Sequence, residues 1–145
     1  MDRPDNLVTW QGEGVGHPIM FDNDDPALAR VRAIALGFPE AIEKISHGRP
    51  TFCAPKMFAV YGGSRKNPSG PMHRYPHALL VKVDDSERTA LQQDPRFFFP
   101  AYLGPFGWLG LDFEAAEVDW DEVGELIDAS FRLQAPPRLV RLLDG

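Results

Sequence analysis

The sequence predicts an α+β domain in which helices cover one face of a mainly antiparallel sheet of about five strands. Three observations lead there. Short aromatic and β-branched runs, punctuated by glycine and proline, fill the middle of the chain, amphipathic segments with acidic caps flank them, and the elements follow in the order α-β-β-β-α-β-β-α. At 145 residues and 43% hydrophobic content the chain fits one domain, large enough to bury roughly two thirds of its unfolded surface.

Residues 1–23 hold scattered glycines, a lone Trp10 and no sustained period, and are read as an extension; the domain is expected over residues 24–145. Asp24 or Asp25 can cap a first helix with Pro26 at its first position and Leu28, Val31, Ile34 and Ala35 on one face. Gly37 and Pro39 end it, leaving 40–44 as a turn or a short helical piece. Two strands are expected at 45–52 and 56–61, interrupted by Pro50 and Pro55. Residues 62–76, rich in Gly, Pro, Ser and Asn, are expected to form an irregular loop, and 78–83 alternates as a third strand. Asp84 and Glu87 carry capping-box spacing for a short helix to about residue 93, which Asp94-Pro95 ends. Strands at 97–102 and 108–113 follow. Asp119 and Glu122 then repeat the capping spacing before Trp120, Val123, Ile127 and Phe131. Pro136-Pro137 break that helix, and Leu139, Val140, Leu142 and Leu143 can form a last turn or two.

Charge is segregated along the chain. The net charge is −6, yet residues 44–83 carry seven Lys or Arg, three of the four histidines and no Asp or Glu, leaving 8 basic against 21 acidic residues elsewhere. Clustered cations keep a local positive field even on an acidic protein, so an anionic partner is expected. A pI of about 5.1 excludes a protein that coats nucleic acid with its whole surface. No stretch reaches the ~18 apolar residues of a membrane span and no leader pattern is present, so a cytoplasmic protein is expected. A single cysteine, Cys53, excludes an internal disulfide and fits a reducing compartment.

Candidate anion-binding residues are Arg65, Lys66, His73 and Arg74 in the loop 62–76, His47 and Arg49 with Thr51 on one side of an extended run, and Lys56, Lys82 and Arg96 beside them. The alternatives are a solvated loop and a half-exposed strand. Tyr102 and Trp108 can line a groove, although aromatics this dense mostly make core. No catalytic set emerges. Cys53 and His47 lack a nucleophile signature, His73 and His77 have metal spacing only on a helix that Pro71 and Pro76 forbid, and Gly12, Gly14 and Gly16 lack the context of a dinucleotide site. Asp22 to Asp25 falls short of a calcium loop, and helix capping accounts for Asp84, Asp85 and Glu87. No metal and no cofactor are expected.

Gly48-Arg49-Pro50-Thr51-Phe52, Lys56-Met57-Phe58-Ala59, Val81-Lys82-Val83, Glu87-Arg88, Asp94-Pro95-Arg96-Phe97-Phe98, Pro100, Tyr102 and Gly107-Trp108 together resemble the YjbR/MmcQ-like family over residues 28–143. The resemblance implies a two-layer α/β fold shared with secretion chaperones. It also brings the family's usual DNA-binding label, with a paired-wing arrangement, and no catalytic residue or cofactor. This chain departs from the pattern in its N-terminal extension and in its long basic loop at 62–76. The leading expectation is a non-enzymatic domain that binds DNA or another polyanion through that loop, which would serve as an enlarged wing, and the adjacent strands. The alternatives are a homodimeric interaction or chaperone-like module working through residues 97–108, and a pocket for an anionic small molecule held by Arg49, Lys56 and Arg96. The chain is expected to be a monomer or a homodimer.

Overall fold

The computed structural model describes residues 19–145. Trp10 and the glycines at 12, 14 and 16 lie outside the described residues, as does most of the expected extension. Among the described residues there are four α-helices, α1 (Pro26–Ala35), α2 (Asp85–Gln92), α3 (Trp120–Gln134) and α4 (Pro137–Asp144). Six strands, β1 (Ile42–Ser46), β2 (Arg49–Cys53), β3 (Met57–Arg65), β4 (His73–Lys82), β5 (Phe97–Phe98) and β6 (Trp108–Asp112), form one open antiparallel sheet in the order β1-β2-β3-β4-β6-β5. No described helix is long and apolar enough to cross a membrane.

The α+β class and the positions of the four helices agree with the sequence, and the strands differ in four places. Residues 42–44, expected within a turn or short helical piece, open β1, because they pair with Cys53, Phe52 and Thr51 of β2. The run expected as one strand at 45–52 is two, because His47 and Gly48 both take positive φ (53° and 82°) and turn the chain in two residues between the paired Ser46 and Arg49. Pro50 fits inside β2 because the ladder with β3 starts only at Thr51–Val60, so the missing N–H falls outside it. The expected loop at 62–76 is mostly strand. β3 continues to Arg65 and β4 starts at His73, with Gly63, Ser64 and Arg65 paired to Tyr75, Arg74 and His73 across a bulge at Tyr61 to Gly63. Only residues 66–72 lie outside the two strands. β5 is short: only Phe97–Phe98 pairs, and residues 99–102, expected as strand, instead lead as a turn into a 3₁₀ turn at Gly104–Phe106, with Tyr102 at positive φ (70°).

The sheet buries its two faces in different ways. Against the first, Leu28, Val31 and Ala35 of α1, Val123, Ile127 and Phe131 of α3 and Leu139 of α4 pack on Phe58, Tyr61, Leu79 and Val81. Phe38, Phe58 and Phe131 meet at centroid distances of 4.9 to 5.9 Å, mostly edge to face. Ser130, fully buried on α3, donates to the Phe58 carbonyl (2.6 Å) and accepts from the Lys82 N–H (2.9 Å). The β3–β4 ladder passes through Val60–Leu80, so a helix hydroxyl stands where the next ladder bonds would fall. Among the described residues no α-helix packs against the second face. A smaller cluster of Val60, Ala78, Leu80, Phe98 and Trp108 fills part of it, and the Phe98 ring lies on Gly110, where a Cβ would come within 2.3 Å of it.

One buried polar cluster ties α1 to the sheet. Asp25 caps α1 through the Ala27 N–H (2.9 Å), and its other oxygen takes the Tyr61 hydroxyl (2.5 Å) and lies 2.8 Å from His77 Nδ1. Burial works against the charged carboxyl, but the hydrogen bonds from Tyr61, His77 and Ala27 outweigh it and hold the group below its ordinary value of 3.8. Burial, helped by the adjacent Asp25 charge, pushes the Tyr61 phenol up.

Two stability outcomes follow from these contacts. Ser130→Ala strands one carbonyl and one N–H in the core and is expected to cost about 1–3 kcal/mol in chemical denaturation. Because the folded pKa of Asp25 is depressed, its contribution is present above its unfolded value and lost as pH falls through the folded one. The difference in melting temperature between wild type and Asp25→Asn should therefore be largest near neutrality and shrink as pH falls below about 4. A difference that stays constant from pH 7 to pH 3 would show that the Asp25 charge does not stabilise the fold.

Candidate functional site

The face without helices is crossed by the connection between β5 and β6, anchored where the Ala101 N–H donates to the Ser64 carbonyl (2.7 Å). Between this connection, the β1–β2 turn and the β3–β4 hairpin lies a cleft of about 740 Å³. It is polar and cationic at one end and apolar at the other. Ser46, His47, Arg49, Ser64 and Arg74 line the first end, and Met57, Val60, Leu80 and Leu103 the second.

Strand register makes this division. Thr51 opposes Val60, so Arg49 two residues earlier runs beside Gly62, and Ser64 opposes Arg74. Gly62 sits at φ 88° in the bulge, and a Cβ there would stand 3.5 Å from Arg49 Cδ and 3.6 Å from Nε, so the arginine lies across the bare backbone. Arg49 is partly buried. Burial, followed by the like charge of Arg74, holds its guanidinium below the usual arginine range.

The candidates named from the sequence fall into four groups. His47, Arg49 and Arg74 line the cleft. Arg65, Lys66 and His73 stand at the hairpin tip beside it, with Lys66 Nζ 5.6 Å from the Tyr102 ring centroid and the His73 ring against Tyr75. Lys56 in the β2–β3 turn and Lys82 at the end of β4 lie at the opposite end of the sheet, Lys82 about 26 Å along the strand from Arg74. Lys82 Nζ donates to the Phe106 carbonyl. Arg96 belongs elsewhere: it forks onto Asp94 and reaches Glu122 (2.7 Å), which fastens the first turn of α3. Of the two aromatics, Tyr102 is 67% exposed on the cleft wall, whereas Trp108 is 2% exposed in the smaller cluster.

Ion pairing separates the cations along the sequence. Arg32, Arg88, Arg96, Arg132 and Arg138 each contact a carboxylate. Among the described residues, none of the seven cations between 44 and 83 does.

Residues that sequence reasoning passed over complete the site. Met20, Met57 and Met72 line it, while Thr51, named with Arg49 from the sequence, is buried in its floor. Reading 62–76 as loop hid the alternation of Ser64 and Arg74 with their neighbours, which was the available signal. The groups with chemical potential elsewhere are quiet. Cys53 lies at the far end of β2, about 13 Å along the strand from Arg49 and farther from the turn that holds His47, and burial pushes its thiol up, which disfavours the thiolate a nucleophile needs. Among the described residues no cluster of His, Cys, Asp and Glu could hold a metal ion.

Comparison with known proteins agrees with this architecture. The crystal structure of the Deinococcus radiodurans protein DR2400, a protein with the family-model domain DUF419, is similar with a TM-score of 0.55 and 18% identity, covering 73% of this chain and 76% of that one. At that identity the likeness is one of fold. Among curated proteins no relative matches. The model of the YjbR family matches residues 36–133, from the end of α1 through most of α3 and including every strand. With well over half of its length so matched, the chain belongs to the YjbR family.

Proposed function

We propose that this domain binds a small organic anion in the cleft on its helix-free face, without a catalytic step. One observation carries the reading: Arg49 and Arg74 are brought to one end of the cleft, close enough for Arg74 to depress Arg49, with no carboxylate against either among the described residues. A like charge beside the partly buried Arg49 costs free energy, and an anion between the two arginines reverses the sign of the interaction. The cleft has the size of small-molecule sites, which run to roughly 300–1,000 Å³ with apolar walls and a few convergent polar groups. A charge-assisted hydrogen bond to a carboxylate or sulfonate contributes about 1.5–3 kcal/mol. Burying about 150 Å² of apolar ligand against Met57, Val60, Leu80 and Leu103 adds roughly 4 kcal/mol. Burial pushes the Cys53 thiol and the Tyr61 phenol up, away from their reactive anions, which favours a binding role over a reactive one.

A polyanion is the second reading, favoured because, among the described residues, no carboxylate contacts any of the seven cations between 44 and 83. DNA would meet Arg65, Lys66, His73 and Arg74 on the hairpin as a wing, leaving the cleft walls to stack an unpaired base at Tyr102.

The two readings separate in solution. Titration with 8-anilinonaphthalene-1-sulfonate should give saturable fluorescence that Arg49→Gln and Arg74→Gln each weaken by about tenfold, with the melting temperature of the free protein little changed. No saturable signal removes the cleft reading. For DNA, binding of labelled duplex and single strands across a salt series should show a log–log slope that falls by about 2 to 3 in the Arg65→Ala, Lys66→Ala, Arg74→Ala variant. Absence of binding at ~50 mM salt removes the polyanion reading.

A further inference from the structure

Three of the four methionines in this chain, Met20, Met57 and Met72, line this cleft, and among the described residues the main core contains none. They come from three separate segments: the lead-in to α1, the start of β3 and the hairpin tip. The main core is built instead from Leu, Val, Ile, Ala and aromatic side chains, with fewer or stiffer rotations. Side-chain softness is therefore concentrated at the site where a ligand would bind.

Charge recognition at the same site is comparatively fixed. Arg49 lies across Gly62 and Arg74 is held in the β3–β4 ladder. Methionine has three rotatable bonds and a polarisable thioether, fills irregular gaps and re-packs around ligands of different outline. Met72 is partly exposed, with its sulfur 3.5 Å from the Ser64 hydroxyl, and so has room to move. We infer that the cleft is a shape-tolerant site for apolar organic carboxylates and sulfonates, strict about the anionic head and permissive about the body. This rests on the cleft reading above and extends it to the class of ligand.

The test is a panel of three carboxylates with different bodies: decanoate (a flexible chain), 2-naphthoate (flat) and adamantane-1-carboxylate (globular), with decanol and 2-naphthol as neutral partners. By calorimetry the wild-type protein should bind the three acids within about tenfold of one another, a spread of about 1.4 kcal/mol, and the neutral partners at least about tenfold more weakly. Met57→Ile with Met72→Ile, which stiffens the wall at similar volume, should widen the spread beyond tenfold while sparing at least one acid. Met72→Ile alone changes a half-exposed residue and gives the same readout in smaller measure should the double variant fold poorly. If wild type prefers one acid by about 100-fold, or if stiffening leaves the spread unchanged, shape tolerance through methionine is overturned while the anion cleft stands. If none of the acids binds and the sulfonate dye gives no saturable signal, the cleft reading itself fails.

Discussion

Phe131 and Ser130, neighbours on α3, fasten the helix to the middle of the sheet, and the rest of the molecule depends on that docking. Phe131 fills the space between Phe38 and Phe58, and Ser130 stands in for ladder bonds between β3 and β4. Loss of an aromatic ring at such a site typically costs about 3–5 kcal/mol, comparable to much of a small domain's net stability. With α1, α3 and α4 committed to this face, the opposite one is left to a loop and a handful of side chains. A sheet buried on one side by helices and only partly on the other has an apolar floor that remains within reach of solvent, and the cleft is that floor.

The strands then decide which charges stand around it. A segment without carboxylates cannot satisfy its own cations through local pairs, and several acidic residues elsewhere are engaged by other arginines. Glu43 takes Arg32, Glu40 takes Arg138, and Asp94 and Glu122 take Arg96. Exposed pairs of this sort contribute little each, so their importance here lies in where they leave the positive charge unbalanced. That charge gathers at the β1–β2 turn and the β3–β4 hairpin because antiparallel pairing brings both turns to one end of the sheet.

Elements with strong local signals were legible in the sequence. Pro26 after Asp25 marked α1, Asp119 marked α3, and both caps form in the structure. Elements whose backbone is set by long-range pairing were not. His47-Gly48 has positive-φ potential only at the glycine, so the tight turn that splits β1 from β2 was invisible, and Tyr61-Gly62-Gly63 has loop composition although β4 holds it in a bulged strand. The same gap affected the site. Arg49 and Arg74 were named, but 25 residues of sequence separate them and only the register through Gly62 and Ser64 makes them neighbours. Arg96 was grouped with them because it precedes an aromatic run, whereas Asp94 and Glu122 draw it to α3. The Asp25, Tyr61 and His77 cluster joins three segments far apart in sequence, and no spacing rule reaches that far.

The shape of the charged end bears on the choice between a compact anion and a long one. A polyanion rewards charges spread over a convex or flat surface, each meeting a separate phosphate at intervals along the strand. Here only the hairpin tip has that disposition, whereas Lys56 and Lys82 stand at the far end of the sheet and Lys82 is turned onto the Phe106 carbonyl. Arg49 is set below the rim, partly desolvated and aligned with an apolar floor that continues from it toward Met57. A duplex backbone cannot follow it there without leaving that floor empty. A compact anion with an apolar body uses the arginines and the floor together, and each surface of the cleft then has a partner of its own kind.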